Sequence, residues 1–416
     1  MENDVIFVID MKAFYASIEC VERGLDPLKA KLVVTDTARR EATIVLSVSS
    51  ALKAMGVPSR CRRRDLPKDI PDMIYATPRM EMYVKKSAEI VSIFLDYVGQ
   101  DDIHVYSIDE SFLNIGPYLK LYKCTPHELA AKILKRIQDQ TGLIATCGIG
   151  PNMFLAKIAD DIEAKHNKDF IAEWNYEDVP TKLWPIKPIS ELWGIKAGYT
   201  AKLNALGIYS VYDLAHFSKE LLIDKFGLLG EELYNHANGL DEAKIREKYV
   251  PISKGLSLGQ VLMRDYKKDE MPLILKEMTD ELTIRLRKVN KNCNCVHLMI
   301  GYANMAEGGF AHQCELLTPT SINSELYKSI MYLFNTYCEN KPIRRVGISY
   351  TNFSEKTATQ LSLFSDVKTQ EDEEEMFKTL DMVMTKYGKN SITRTSALTK
   401  SSTIKERHNQ IGGHRK

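Results

Sequence analysis

Tyr106-Ser107-Ile108-Asp109-Glu110-Ser111 closes an apolar run that begins at Ile103 and sets two adjacent carboxylates at the end of a strand. A second apolar run, Val5 to Ile9, ends in Asp10. Neighbouring side chains on an extended strand point to opposite faces, so Asp109 and Glu110 can serve one site only if the chain bends there, as at a hairpin or a strand end. Asp-Glu pairs are common on protein surfaces, and Asp10 is what gives this pair its weight. Strands tipped by Asp10 and by Asp109-Glu110 can hold two hard divalent cations, with the carbonyl of Met11 adding an oxygen. Two such ions can clamp the attacking and leaving oxygens of an in-line displacement, the chemistry of nucleotidyl transfer.

The pattern around these tips is that of an α/β multidomain protein. Residues 5–9 read as a buried strand and 12–23 as a helix, with Phe14, Ile18 and Val21 at helical spacing. Lys31 to Thr35 and Thr43 to Ser47 read as strands, and 49–56 as a short helix ended by Gly56 with Pro58 beyond. Arg60 to Arg64 is a basic cluster on a loop or small subdomain. Helices over 81–98 and 126–140 precede the strands at Ile103 to Ile108 and Ile144 to Ile149. This order suits a mixed sheet with helices on one face. Pro185 and Pro188 mark a break, followed by Leu192-Trp193-Gly194-Ile195-Lys196, a helix at 197–206 and Gly207-Ile208. That is either a helix–hairpin–helix, whose backbone N–H groups can hold a DNA phosphate without reading bases, or a small helical bundle.

A further α/β unit spans 252–353, with strands at Val296 to Gly301 and Arg345 to Phe353 and helices at 269–288 and 322–338. Its bases Lys254, Arg264, Lys267, Lys268, Arg285, Arg287, Lys288 and Lys291 are either a grip on backbone phosphates or a solvated surface. Beyond it, the polar stretch 354–359 precedes the apolar island Gln360-Leu361-Ser362-Leu363-Phe364. The acidic run Glu371 to Glu375 opens a helix to about Tyr387, and residues 389–416 are expected to be partly disordered.

The totals are consistent with this. A chain of 416 residues exceeds one ordinary core, and 44% hydrophobic with 27% charged residues is the balance of a globular protein. The net charge of +1 does not argue for nucleic acid by itself; only its local distribution can. The start carries acids and no basic n-region, and no apolar run approaches the roughly 18 residues that span a bilayer. The eight cysteines are scattered, and Cys293 with Cys295 is poor zinc spacing, so free thiols and a reducing, cytoplasmic location are expected.

Phe14 and Tyr15 follow Asp10 on the first helical turn. Both can be core aromatics; alternatively, the Tyr15 ring lies under the sugar of a nucleotide held at Asp10 and collides with a 2′-hydroxyl. Asp10-Met11-Lys12-Ala13-Phe14-Tyr15-Ala16-Ser17-Ile18-Glu19, together with Tyr106 to Phe112, resembles the paired catalytic motifs of the Y-family, translesion DNA polymerases. Gly148-Ile149-Gly150-Pro151-Asn152 and Phe154-Leu155-Ala156-Lys157-Ile158-Ala159 resemble the next family block. The similarity runs from about residue 5 to 353, and the chain is most similar to the bacterial UmuC/UvrX-like branch.

The resemblance implies a polymerase palm with small fingers over residues 1–185 (fingers about 30–77), a helix–hairpin–helix thumb over 186–245, an α/β little finger over 252–353, and a tail over 354–416. It implies that Asp10, Asp109 and Glu110, with the Met11 carbonyl, bind two Mg²⁺ ions, and that Tyr15 is the steric gate with Phe14 beside it. It implies that Lys157 contacts the triphosphate. Ser50 and Lys53 stand where many members carry a Tyr and an Arg, as is also the case in the UmuC-like branch; Lys53 offers a point charge in place of a bidentate fork. Lys165 is offset from the family's next lysine. Gln360, Leu361, Leu363 and Phe364 resemble the bacterial sliding-clamp-binding peptide. The implied partners are primer-template DNA, dNTP, the sliding clamp and SOS accessory proteins. The implied function is low-fidelity translesion synthesis in DNA damage repair.

Overall fold

The computed structural model describes residues 4–247, 255–303, 308–356 and 367–416. The chain divides into two compact units, with the boundary between residues 249 and 250.

The first unit opens with β1 (Ile6–Met11), α1 (Phe14–Val21), β2 (Leu32–Val34), β3 (Ser47–Val48), α2 (Ser50–Ala54), β4 (Ile74–Ala76) and α3 (Met80–Leu95). It continues with β5 (Ile103–Val105), β6 (Glu110–Asn114), α4 (Leu119–Tyr122), α5 (Pro126–Thr141), β7 (Ala145–Gly150), α6 (Met153–Ala159) and β8 (Ile171–Glu173). Four helices complete it: α7 (Ala197–Asn204), α8 (Val211–Ala215), α9 (Lys219–Phe226) and α10 (Leu228–Ala237).

The palm sheet has the order β5-β6-β1-β7-β8, antiparallel except for the β7–β8 pair. β1 lies at its centre and buries every residue except Asp10, which is intermediate. Alternation along β1 decides which face each side chain meets. Ile6 and Val8 pack with Phe112, Ala156 of α6 and Ile245, whereas Ile9 and Met11 look toward Ile90 and Phe94 of α3. The one-sided sheet expected from the sequence is therefore corrected. α3 covers one face, and α6 with the returning segment around Ile245 covers the other. The unbroken apolar run Val5 to Ile9 was the available signal, because a central strand buried on both faces loses its alternation.

Where the fingers were expected lies a small sheet, β3-β2-β4, with its own core of Val33, Val45, Val48, Leu52, Val57 and Leu66. The four helices α7 to α10 appear where the thumb was expected. Their core is not separate: Leu203, Leu214, Leu222 and Leu233 belong to one cluster with Phe154, Leu155 and Ile158 of α6. The chain then returns to the palm, where Arg246 forms a bidentate pair with the buried Asp102 at 2.7 and 2.8 Å.

The second unit consists of β9 (Leu256–Tyr266), α11 (Met271–Lys288), β10 (Lys291–Tyr302), β11 (Gly309–Thr320), α12 (Asn323–Tyr337), β12 (Ile343–Glu355), α13 (Val367–Tyr387), α14 (Ile404–His408), β13 (Gln410–Ile411) and β14 (His414–Arg415). The two helices read from the sequence are α11 and α12, but the sheet has four strands, ordered β11-β10-β12-β9, where two were expected. The missed strands β9 and β11 each have exposed residues at most alternate positions, and the longest apolar run in either is the three residues Val261-Leu262-Met263. The expected basic face also changes. Arg264, Arg285, Arg287 and Lys291 are paired with Glu270, Glu281, Asp381 and Glu355 of the same unit.

The tail was expected to be partly disordered after residue 388; it is instead packed on α11. Glu277 and Glu281 are buried, one turn apart on that helix, and the tail supplies their partners. Ser402 Oγ and the Thr403 N–H donate to Glu277 at 2.5 and 3.1 Å, and Arg407 Nε donates to Glu281 at 2.8 Å. Arg394 reaches Asp280 at 2.9 Å. Burial opposes the charge of Glu281, but Arg407 outweighs it and holds the carboxyl below its ordinary range. Arg407→Met should therefore destabilise this unit by about 2 kcal/mol, since it strands a buried carboxylate that keeps only Arg285 and Lys389 nearby. A lowered midpoint of urea unfolding checks this, and an unchanged midpoint refutes it. Among the described residues no helix is long and apolar enough to cross a membrane.

Candidate active site

The bend that the Asp109-Glu110 pair requires is present. β5 ends at Val105 and β6 begins at Glu110, and the N–H groups of Tyr106 and Ser107 both donate to the Glu110 carbonyl, at 3.1 and 3.0 Å. Asp109 occupies this turn; its carboxylate accepts from Ser107 Oγ at 2.7 Å, and its carbonyl accepts from the Met11 N–H at 2.9 Å. Glu110 is the direct cross-strand partner of Asp10. Both side chains therefore lie on the α6 face of the sheet.

Helix α6 approaches that face closely because two glycines of β7 allow it. A Cβ on Gly148 would stand 2.0 Å from the Ala156 carbonyl, and one on Gly150 would stand 2.5 Å from the Ala156 nitrogen. Asn152 caps the helix by accepting from the Leu155 N–H at 2.8 Å. Lys157 is thereby buried under the sheet, its Nζ 2.7 Å from Glu110 Oε1 and 3.0 Å from Asp161 Oδ1.

After α6 the helix widens into a π turn over Asp160–Ala164, in which the Lys165 N–H donates to the Asp160 carbonyl five residues back. Lys157 and Lys165 each stand four residues from Asp161, so ordinary helical spacing brings both to it. The wide turn adds Asp160, five residues before Lys165, to that group. Lys165 Nζ lies 2.6 Å from Asp161 Oδ1, 2.7 Å from Asp10 Oδ2 and 3.2 Å from Asp160 Oδ2.

Burial pushes the Glu110 carboxyl up to about 7 against the pull of Lys157, and the Asp160 carboxyl up to about 6 against that of Lys165. Burial opposes the charge of Lys165 too, but Asp10, Asp160 and Asp161 outweigh it and hold the ammonium above its ordinary range.

The aromatic pair is placed as the sequence suggested. Ala13 adopts a left-handed conformation (φ 49°) between β1 and α1, and this turn sends the chain from Asp10 into the first helical turn. Phe14 is buried, while Tyr15 is half-buried and packs on Tyr83 with ring centres 4.7 Å apart. Burial raises the Tyr15 hydroxyl's pKa, and the charge of Asp109 adds to the effect. Tyr83 is fixed from behind: its hydroxyl donates to Glu19 at 2.7 Å, and Arg79 pairs with the same buried carboxylate at 3.0 and 2.7 Å. Ser50 and Lys53 lie on α2. Burial lowers the pKa of Lys53, with Asp10 the next largest influence, so its ammonium shares the field of the acidic site.

Sequence reading missed Asp160, Asp161 and the place of Lys165. Asp10, Asp160 and Asp161 are the carboxylates whose oxygens gather within 4.8 Å of one another among the described residues; Asp109 and Glu110 are not part of that group. The adjacent acids just after the Phe154–Ala159 block were the available signal, and the π turn hid it. The donor set suits a hard divalent cation, being all carboxylate oxygen. Glu110 Oε1 is held by the Lys157 ammonium at 2.7 Å, whereas the buried Asp160 Oδ2 has no hydrogen bond among the described residues and meets Lys165 as an ion pair at 3.2 Å. Gln360, Leu361, Leu363 and Phe364 lie outside the described residues.

The impB/mucB/samB family matches residues 9–161, and its C-terminal domain matches 253–363. The putative UV-damage repair protein UvrX of Bacillus subtilis (strain 168) is 37% identical, covering 99% of this chain and 97% of its own. DNA polymerase IV 2 of the same organism is 32% identical over the whole of both chains. A Y-family DNA polymerase chimera of known structure superposes with a TM-score of 0.67 at 20% identity, covering 85% of this chain and 100% of that one.

Proposed function

Because this chain belongs to the impB/mucB/samB family and has the fold of a Y-family DNA polymerase, we propose that it extends a primer on a template by adding deoxynucleotides, in translesion synthesis and DNA damage repair. The observation that carries this reading is the cross-strand pair Asp10 and Glu110, with Asp109 in the adjoining turn and the Tyr15 ring within the field of Asp109. Asp10, the Met11 carbonyl, Asp109 and Glu110 would hold two Mg²⁺ ions. When bound there, such ions lower the pKa of a primer 3′-hydroxyl and neutralise the triphosphate and the leaving pyrophosphate.

The chain's own residues do the positioning. Tyr15, backed by Tyr83, presents a ring edge to the sugar, and Phe14 packs behind it. Lys53 supplies a charge for the triphosphate without a bidentate grip, and Ser50 supplies one hydrogen bond. Lys157 is committed to Glu110 and Asp161, so its part is to hold the acids in place as much as to meet phosphate. A loosely held nucleotide suits a site that tolerates damaged template bases at a cost in fidelity. The helices α7 to α10 supply a surface for the primer-template duplex. Gln360 to Phe364 supplies a peptide for the sliding clamp, with Leu361, Leu363 and Phe364 as apolar anchors. SOS accessory proteins and a cytoplasmic location complete the reading.

Primer extension on undamaged and lesion-bearing templates tests it, with Mg²⁺ or with EDTA, and with or without the clamp. The expected result is metal-dependent extension past a lesion, stimulated by the clamp, with the stimulation lost when residues 360–364 are deleted. Absence of any metal-dependent extension would sink the proposal.

A further inference from the structure

Lys165 stands where a metal ligand's partner should be. Its ammonium is 2.7 Å from Asp10 Oδ2, and the same nitrogen holds Asp161 at 2.6 Å and Asp160 at 3.2 Å. Asp160 has no solvent exposure, and its Oδ2 has no hydrogen bond among the described residues. Three converging carboxylates with one such buried oxygen are a cation site, and side chains of the protein itself fill it: Lys165 at Asp10 Oδ2 and, farther from that Asp10 oxygen at 3.9 Å, the buried Lys157.

We propose that Lys165 acts as a resident counter-cation at Asp10. A divalent ion enters there only when Lys165 leaves, so that metal binding is coupled to the arrival of an anionic group able to take the lysine. A divalent ion requires its carboxylate oxygen at about 2.0–2.6 Å, in the space that the Lys165 ammonium now fills. The lysine can leave, because its side chain is 30% exposed, unlike that of Lys157 at 5%. It is aimed at Asp10 by the π turn over Asp160–Ala164, and the Lys12 ammonium donates to its carbonyl at 3.0 Å, which fixes the backbone while the side chain swings. The anion that draws it away is a polyphosphate, so this inference rests on the proposed nucleotide site.

Mn²⁺ binding to the full chain, measured by electron paramagnetic resonance without DNA, tests it. Lys165→Gln should tighten Mn²⁺ binding about tenfold in the absence of nucleotide, and should lose most of the enhancement that a dNTP gives the wild type. Lys165→Arg keeps the charge and should remain close to wild type. Lys53→Gln removes a lysine that shares the field of Asp10 without pairing with it, and should shift affinity much less. Unchanged affinity in Lys165→Gln overturns the proposal. So does equal tightening in Lys53→Gln, which would mean that only the bulk field had changed, or in Lys165→Arg, which would mean that only space had been made. Thermal unfolding of each variant confirms that folded protein is compared. The outcome is separate from that of the functional reading, which stands or falls on primer extension by the wild type.

Discussion

Asp109→Ala combined with Glu110→Ala is expected to reduce primer extension by at least about a thousandfold while leaving duplex affinity within a few-fold of wild type. Glu110 stands at the place on β6 that faces Asp10, with Asp109 in the adjoining turn, and the next residue on that face of the strand is Phe112, which offers no side-chain oxygen. The duplex is gripped elsewhere, so its affinity should survive. A confounding effect is built into the site, because Glu110 is a principal partner of the buried Lys157. Removing that carboxylate leaves Lys157 with Asp161 and a cavity, and some activity could be lost to distortion alone. Glu110→Gln separates the two, since it keeps the shape and an acceptor for Lys157 while removing the charge. Single-turnover extension and a fluorescence-anisotropy titration of primer-template would give the rate and the affinity side by side. Extension at the wild-type rate by the double variant would remove these acids from the chemistry.

Tyr15→Ala should raise the use of ribonucleotides relative to deoxynucleotides by about a hundredfold, the ~3 kcal/mol that forcing an extra heavy atom into a packed contact costs. The ring is held on one side by Tyr83, whose hydroxyl is anchored on Glu19, so it cannot easily turn aside to admit a 2′-hydroxyl. Competing kcat/KM values for a dNTP and its ribonucleotide measure the change, and deoxynucleotide extension should fall far less than discrimination does. An unaltered sugar preference would assign Tyr15 to the core alone.

The two acid-tipped strands were legible in the sequence because β1 and β5–β6 carry short, nearly unbroken apolar runs that stop at charge. The place of Tyr15 on the first turn of α1 was legible too, from its spacing to Asp10 in the sequence. Three features were hidden, each for a physical reason. Lys165 meets Asp160, five residues earlier, through a π turn, and regular helical spacing gives no hint of one. β9 and β11 leave much of their length in solvent, with Val261 and Leu317 among their exposed residues. A half-exposed strand in charged surroundings reads as a loop. The tail's order depends on carboxylates at 277 and 281, more than a hundred residues before the arginine that meets them, and composition alone made that segment look unfolded.

The shared core of α6 and the thumb helices has a mechanical consequence. Phe154, Leu155 and Ile158 belong to the cluster that holds Leu203, Leu214, Leu222 and Leu233, and Lys157 lies on the same seven-residue helix, pressed against Glu110. Asn152 at the start of that helix also donates to the Gly239 carbonyl, just past α10, at 2.8 Å. Close-packed interiors transmit displacement and do not absorb it. α6 therefore works as a lever with one arm in the core of α7 to α10 and the other at Glu110, and a displacement of those helices is expected to reach Lys157 as torque.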